Sequence, residues 1–542
     1  MTAWTGTLRL VRLALRRDRV RLPIWIAVIC GLMASVIAAE TSIFQDAAQR
    51  AAGAAFSASN IISRFADGPA SGTSLGAMSI VESFLVLATF VALMSGQAVV
   101  RHTRLDEETG RAELIESSVV GRHARLTAAL VVAAGANAVV AMAATLVLGA
   151  YGLPFGGSLA AGLALAGVGL AFASVAAMAA QMSVTQRGAN GLVALVLGAA
   201  FLLRAIGDAF GTVAPNGVEL VSSWPSWLSP IGWGQQMRPF YQDNWAIGLL
   251  FLGFSVLLIG LAYRLSTGRD LGAGLMREHP GPASARPRLL SPWGLAWRLQ
   301  RAPLLAWTAG MAVMGAAFGA VGTSVDDFEE ASPQFTEMLQ EQFPGADLVD
   351  VFAAFLMGLL GVAAAGYTIQ ALLRMRGEEV SGRLEPVLAT SVGRGKWLAS
   401  HGVIAGLGTI GVIGAMGLAA TLGYVVAGGD LAGGLDQTGA ALAQLPSALA
   451  LGAFVAAAFA VVPRFAPAIG WAALAISLVV GQLGEILKLP QAAVNLSPFA
   501  HIPAVPAEAL AVAPIVLLLA AAVAFVAIAV AAFRRRDLAI PA

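Results

Sequence analysis

The side chains in this chain best suited to ionic chemistry occur twice. Residues 104–126 and 376–398 align without a gap. They share Arg104/Arg376, Glu107/Glu379, Gly110/Gly382, Arg111/Arg383, Glu113/Glu385, Val120/Val392, Gly121/Gly393, Arg122/Arg394 and Leu126/Leu398. Carboxylates set among guanidiniums can form ion pairs and dock a partner, and recurrence at fixed spacing marks an internal repeat. In each copy a glutamate precedes an arginine by four residues (Glu107 and Arg111, Glu379 and Arg383), the favourable order for a helical ion pair. Each island is therefore expected to be a short helix. Gly110 and Gly382 interrupt it at about 1 kcal/mol relative to alanine, which predicts a bend or a close backbone contact. A solvated connector is the competing reading, but a connector needs only polarity, not a repeated pattern.

No covalent or phosphoryl chemistry is expected. Gly72-Thr73-Ser74-Leu75-Gly76 has the letters of a nucleophile elbow, yet it precedes an apolar run rather than joining a strand to a helix. Gly393-Arg394-Gly395-Lys396-Trp397 lacks the upstream glycine of a phosphate loop and has Trp397 where Ser or Thr belongs. His102, His123, His279, His401 and His501 have no metal-site spacing. Cys30 alone excludes an internal disulfide.

The islands interrupt a strongly apolar chain. Charged residues are 12% of the 542 and apolar residues 58%, against about 25% and 45–50% in soluble domains. Apolar stretches near twenty residues long can each cross a hydrocarbon core of about 30 Å. Twelve such spans are expected, at roughly 23–40, 76–100, 127–151, 158–182, 189–210, 246–265, 304–322, 350–373, 399–426, 436–462, 466–487 and 510–533. The fold class is thus an all-α integral membrane protein. The net charge of +2 says little, but its distribution says more. Under twelve spans, nearly all Arg and Lys fall on one side, and only Arg50, Arg64, Arg238 and Lys488 fall opposite. The positive-inside rule puts both termini and both islands in the cytoplasm. A basic amphipathic segment leads into the first helix of each half.

Further pairings divide the chain. Leu228-Ser229-Pro230 answers Leu496-Ser497-Pro498, Arg269-Asp270-Leu271 answers Arg536-Asp537-Leu538, and Trp25 answers Trp307. Residues 1–271 are expected to form one six-helix half with its loop at 101–126. Residues 272–292, rich in proline, form a cytoplasmic linker, and 293–542 a second half with its loop at 374–398. Six is even, so the halves enter the membrane in the same direction, as parallel repeats.

The acidic outer segment 323–350 reads as a solvated face rather than a calcium loop. The aromatic residues Trp224, Trp227, Trp233, Phe240, Tyr241 and Trp245 read first as an interfacial belt. Ionisable residues inside spans are functional candidates by position: Glu82, Arg204, Asp208 and Glu485. Arg204 and Asp208, one turn apart, read most simply as a self-neutralising pair; proton coupling is the sharper alternative.

The run Glu107-Glu108-Thr109-Gly110-Arg111-Ala112-Glu113-Leu114, followed by Ser118-Val119-Val120-Gly121-Arg122, resembles a loop of the type-2 ATP-binding-cassette exporters. In that family this cytoplasmic loop after the second helix holds the coupling helix of the permease. The whole chain resembles actinobacterial tetronasin-type permeases, identified as polyketide-antibiotic exporters, in which two six-helix units are fused. The second copy departs from the pattern at Pro386 and Gly395-Lys396.

The resemblance implies that Glu107, Glu108, Gly110, Arg111, Glu113 and Arg122 couple the chain to an ATPase. It implies the same for Glu378, Glu379, Gly382, Arg383, Glu385 and Arg394. It implies that Phe84, Phe90, Met94, Phe201, Phe352 and Phe355 line a substrate cavity, since helices two and five of each half face the centre in that family. It further implies a multi-pass bacterial cell-membrane exporter of amphiphilic compounds with no cofactor of its own and no nucleic-acid partner. ATP and Mg would be bound by a separate ATPase, in two copies per permease. The rival readings are a twelve-helix ion-coupled multidrug carrier and a membrane-embedded enzyme. The carrier would show charged residues in its first and fourth helices, and the enzyme a catalytic set; neither is visible.

Overall fold

The computed structural model describes residues 2–270, 272–275, 283–324, 347–482 and 489–538. Among these, eleven helices are long and apolar enough to cross a membrane. The chain is an all-α integral membrane protein, and it divides into two compact units, Met1–Pro280 and Gly281–Ala542.

The first unit opens with an amphipathic helix, α1 (Thr7–Arg17), that precedes the first span, α2 (Arg21–Ile43). Span α3 (Leu75–Val100) runs on through a widened turn at Arg101–Leu105 and a final turn at Asp106–Glu108. A short helix α4 (Arg111–Glu116) follows. Spans α5 (Ala124–Ala150), α6 (Phe155–Met182), α7 (Gln186–Ala209) and α8 (Gly248–Thr267) complete the unit. Helix α6 is its core, with 83% of its most apolar stretch buried. Its glycines allow this, because a Cβ on Gly162 would enter the Ala141 carbonyl of α5. Small residues let membrane helices approach closely where no hydrophobic drive brings them together. Asn137 on α5 donates to Ser95 on α3 at 2.9 Å, a buried polar tie of the same kind.

The second unit has α9 (Pro292–Val321), α10 (Leu348–Val380), the short α11 (Leu384–Leu388) and α12 (Arg394–Val426). The expected span 436–462 is split into α13 (Leu431–Ala443) and α14 (Leu445–Val461). Pro446, at the start of α14, has no N–H with which to continue a single helix. Helices α15 (Ala466–Gln482) and α16 (Val512–Arg535) follow. The expected span 466–487 corresponds to α15, seventeen residues long, and the rest of 466–487 lies outside the described residues. So do Glu485, Leu271, most of the acidic segment 323–350, and the linker prolines Pro280 and Pro282. Instead of a separate amphipathic segment, the second unit enters through α9 as one continuous helix, with Pro303 inside it.

Several sequence features resolve into local structure. Ser74 of the elbow-like run caps α3, its hydroxyl accepting from the Ala77 N–H at 3.2 Å. Ser229 and Ser497 of the repeated Leu-Ser-Pro cap the short helices at Pro230–Gln236 and Pro498–His501. A serine N-cap followed by proline is a helix start, since proline lacks only an N–H that has no helical partner there. The aromatic segment is not all belt. Trp224 is 72% exposed, but Trp233 is buried against Phe251 and Phe254, within a helix whose seven residues are all buried.

Candidate functional site

Each island has a buried base and an exposed tip, and the repeated residues are divided between them. In the first unit, the Glu107 side chain is 2% exposed and meets three guanidiniums. Arg104 donates to it at 2.7 Å, Arg125 at 2.8 Å, and Arg269 through both terminal nitrogens at 2.8 and 2.9 Å. In the second unit Arg536 donates to Glu379 through two bonds of 2.7 and 2.9 Å, with Arg376 at 3.5 Å. The two repeats seen separately in the sequence are therefore one site. The arginine after the sixth helix of each unit clamps the glutamate of that unit's island. Two parallel N–H···O bonds fix a carboxylate in orientation as well as in place.

The expected helical pairs Glu107–Arg111 and Glu379–Arg383 do not form. Arg111 instead lies 3.9 Å from Asp106, and Arg383 donates to Glu378 at 3.1 Å. Gly110 and Gly382 are the reason. Their φ values of 70° and 69° turn the chain through the left-handed region and end the helix between acid and base. A Cβ at either would meet nothing within 4 Å, so the glycines serve the bend and not a close contact. Gly110→Val is expected to lower stability by about 1–2 kcal/mol through backbone strain alone. Gly110→Asn, which tolerates that region, should recover most of it. Thermal unfolding of the two purified variants checks this, and equal losses would mean that φ is not what matters.

The first base is tied further. Arg104 donates to the Ala180 carbonyl at the end of α6 and to Ala273 at 3.1 Å. Glu108 accepts from the Gln186 N–H at the start of α7 at 2.7 Å. Arg17, at the end of α1, donates to Asp106 at 2.8 and 2.9 Å. Asp18 faces His102 at 2.7 Å and pairs with Arg101. Burial alone would raise the Asp18 carboxyl, but His102 and Arg101 outweigh it and hold it below its ordinary range. Gly121 passes so near Ala3 that a Cβ would strike its carbonyl, and the Gly121 N–H donates to Thr5 at 2.9 Å.

The second base is built differently around the same ion pair. Trp397 stands at the repeat position of Arg125 and stacks on Phe533 at 5.5 Å, while the Arg536 guanidinium lies over Phe459 and Phe533. Arg394 donates to the Arg536 carbonyl, whereas its counterpart Arg122 is exposed. At the tips, Glu113, Arg122, Arg383 and Glu385 are exposed, with Leu114 77% and Val119 62% exposed.

Inside the spans, Arg204 and Asp208 are fully buried, 3.6 Å apart. Arg204 also donates to the carbonyls of Arg64, Phe65 and Ala66, closing the end of the short helix Ile61–Ala66. Glu82 lies against a second carboxyl, Glu40 on α2. Nearby Asp67 is pushed up to about 7 by burial, with the charge of Glu82 adding. Phe84 and Met94 are 1% exposed, within the core of the first unit. Phe90, Phe201, Phe352 and Phe355 are only partly buried and pack against the cores of their units. Among the described residues no cluster of His, Cys, Asp or Glu could hold a metal.

Comparison with known proteins sets this geometry in a family. The chain is 40% identical to the multidrug efflux system permease protein Rv1217c of Mycobacterium tuberculosis over 539 residues, 99% of this chain and 96% of the relative. This chain belongs to the Rv1217c family of multidrug efflux permeases. The profile of that family's C-terminal domain, multidrug efflux system permease Rv1217c, also matches residues 289–534. The Rv1217c C-terminal match thus takes in the whole second island and ends just before the Arg536 clamp.

Several residues of the bases escaped sequence reasoning. Arg17, Asp18 and Arg125 carry no repeat signal. Arg269 and Arg536 did carry one, but nothing local joins them to glutamates more than 150 residues away.

Proposed function

We propose that this chain is the transmembrane permease of an ATP-driven exporter of the type-2 ATP-binding-cassette class, and that the islands are its coupling elements. A separate ATPase, present as a dimer, holds ATP and Mg and presses on the exposed tips. The clamped bases pass that motion to the helices, and an amphiphilic compound leaves the cell along the path they open. Both termini and both islands lie in the cytoplasm under this reading. One observation carries it: two exposed, charged tips stand on bases clamped through equivalent glutamates and arginines. A tip that only joined two spans would not need four helices to hold it, as Arg104, Glu108, Arg125 and Arg269 do here.

Co-expression with the ATPase of its own transport system tests this. The two should co-purify as a stable complex, and the permease alone should bind no nucleotide. Micromolar ATP binding to the isolated chain, or no complex, would overturn the reading. Loss of the complex on Glu113→Arg with Glu385→Arg would locate the contact at the tips.

A further inference from the structure

Each unit carries an apolar groove lined by its third, fourth and sixth helices, joined in the second unit by its second helix. In the first unit the groove lies between α5, α6 and α8 and holds about 610 Å³. In the second it lies between α10, α12, α14 and α16 and holds about 320 Å³. Val131 and Val403 occupy the same repeat position in the two grooves, as do Ala134 and Gly406. A feature present at repeat positions in both units belongs to the architecture and is not an accident of packing.

The two grooves differ in their polar residues. Thr127, Ser255 and Tyr263 line the first, where Ala399, Ala522 and Val530 line the second; the second's Thr368 hydroxyl is already bonded to Thr409 at 2.7 Å. Lining residues on α8 run from Gly248 to Tyr263, roughly 22 Å at 1.5 Å per residue. A volume of 610 Å³ spread over that length makes a narrow slot, within the usual range for small-molecule sites.

The chemistry at one end is specific. Thr127 donates its hydroxyl proton to the His123 carbonyl at 2.8 Å, so the Tyr263 hydroxyl, 2.7 Å away, is the donor in their contact. The phenol oxygen is then left able to accept. His123 packs edge-on to Tyr263 at 5.2 Å, and its Nδ1 has no partner. Midway along, Ser255 is 7% exposed and its hydroxyl also has no partner. Serines in membrane helices commonly bond the carbonyl four residues back, and Ser255 does not, so its proton remains available.

We propose that the first-unit groove binds a single-chain amphiphile whose head donates a hydrogen bond, a hydroxyl or a protonated amine. The head sits at Tyr263 and His123, and the chain runs past Ser255 toward Trp245. The second groove, without these groups, takes bare hydrocarbon. The site does not depend on ATP coupling, so it can fail or hold independently of that reading.

The test uses the full-length protein in lipid nanodiscs and a long-chain primary amine carrying a diazirine near its methyl end. Photolysis should place most of the label on Leu252 and Val256, at least about tenfold above Leu195, an exposed residue on α7. Ala134→Phe fills the slot and should abolish that label, while Gly406→Phe in the other groove leaves it unchanged. Tyr263→Phe should lower capture of the amine about fivefold, the loss of one net hydrogen bond, and should not change capture of the matching methyl ether. Displacement by a monoacylglycerol alone assigns the groove to membrane lipid. Displacement by unlabelled long-chain amine as well assigns it to exported amphiphiles. Label spread evenly over lipid-facing helices, no displacement by either competitor, or an unchanged yield in both Ala134→Phe and Tyr263→Phe would overturn the proposal.

Discussion

Glu107→Gln is expected to be among the most damaging conservative substitutions in the chain. It keeps the shape of the side chain and removes the one charge shared by Arg104, Arg125 and Arg269. Breaking a buried ion pair from one side costs about 3–5 kcal/mol, because the remaining charge is left desolvated. Here three guanidiniums are left. The thermal midpoint should fall and efflux should be lost together. Glu379→Gln should cost less, since the aromatic faces of Phe459 and Phe533 still hold Arg536. In a double-mutant cycle, Arg269→Gln should recover part of the Glu107→Gln loss. A Glu107→Gln protein as stable and active as its parent would show that the clamp does not organise the island.

The second large effect is all-or-none. In a background lacking Cys30, single cysteines at Ser59 and Leu496 should react with a membrane-impermeant reagent on intact cells. Cysteines at Leu114 and Glu385 should react only after the membrane is opened. All four positions are exposed, so silence reports the membrane and not burial. Ala112, closer to the middle of the island, is fully buried and would be silent on either side. The expectation rests on the imbalance of Arg and Lys across the spans. Reaction at Leu114 and not at Ser59 would invert the chain and remove the ATPase from the side where the tips are.

What could be read from the sequence followed the range of the interaction involved. Hydropathy acts over a window, so the spans emerged with boundaries a few residues short, as at 350–373 against Leu348–Val380. Pro446 marked a helix break that a window average smooths over. The ion pairs failed for the opposite reason. The four-residue rule assumes a continuous helix, and Gly110 and Gly382 abolish that continuity. Glu107 instead found partners 18 and 162 residues away. Glu40 was hidden as the last residue of an expected span, and only the packing of α2 on α3 brings it to Glu82. Phe84 and Met94 are buried in the core of the first unit, a placement on the helix that composition does not give.

The position of the clamps along the chain also sets a timetable for biosynthesis. Glu107 can be secured once Arg269 has been made, but Glu379 must wait for Arg536, beyond the last helix. Those arginines are 267 residues apart. At about 5–20 residues per second, the second clamp closes some 13–50 s after the first. Through that interval the nascent protein carries one finished island and one whose glutamate has Arg376 but not yet its Arg536 clamp. A chain that stops short of Arg536 never leaves that state, which gives membrane quality control a lasting mark by which to recognise incomplete product.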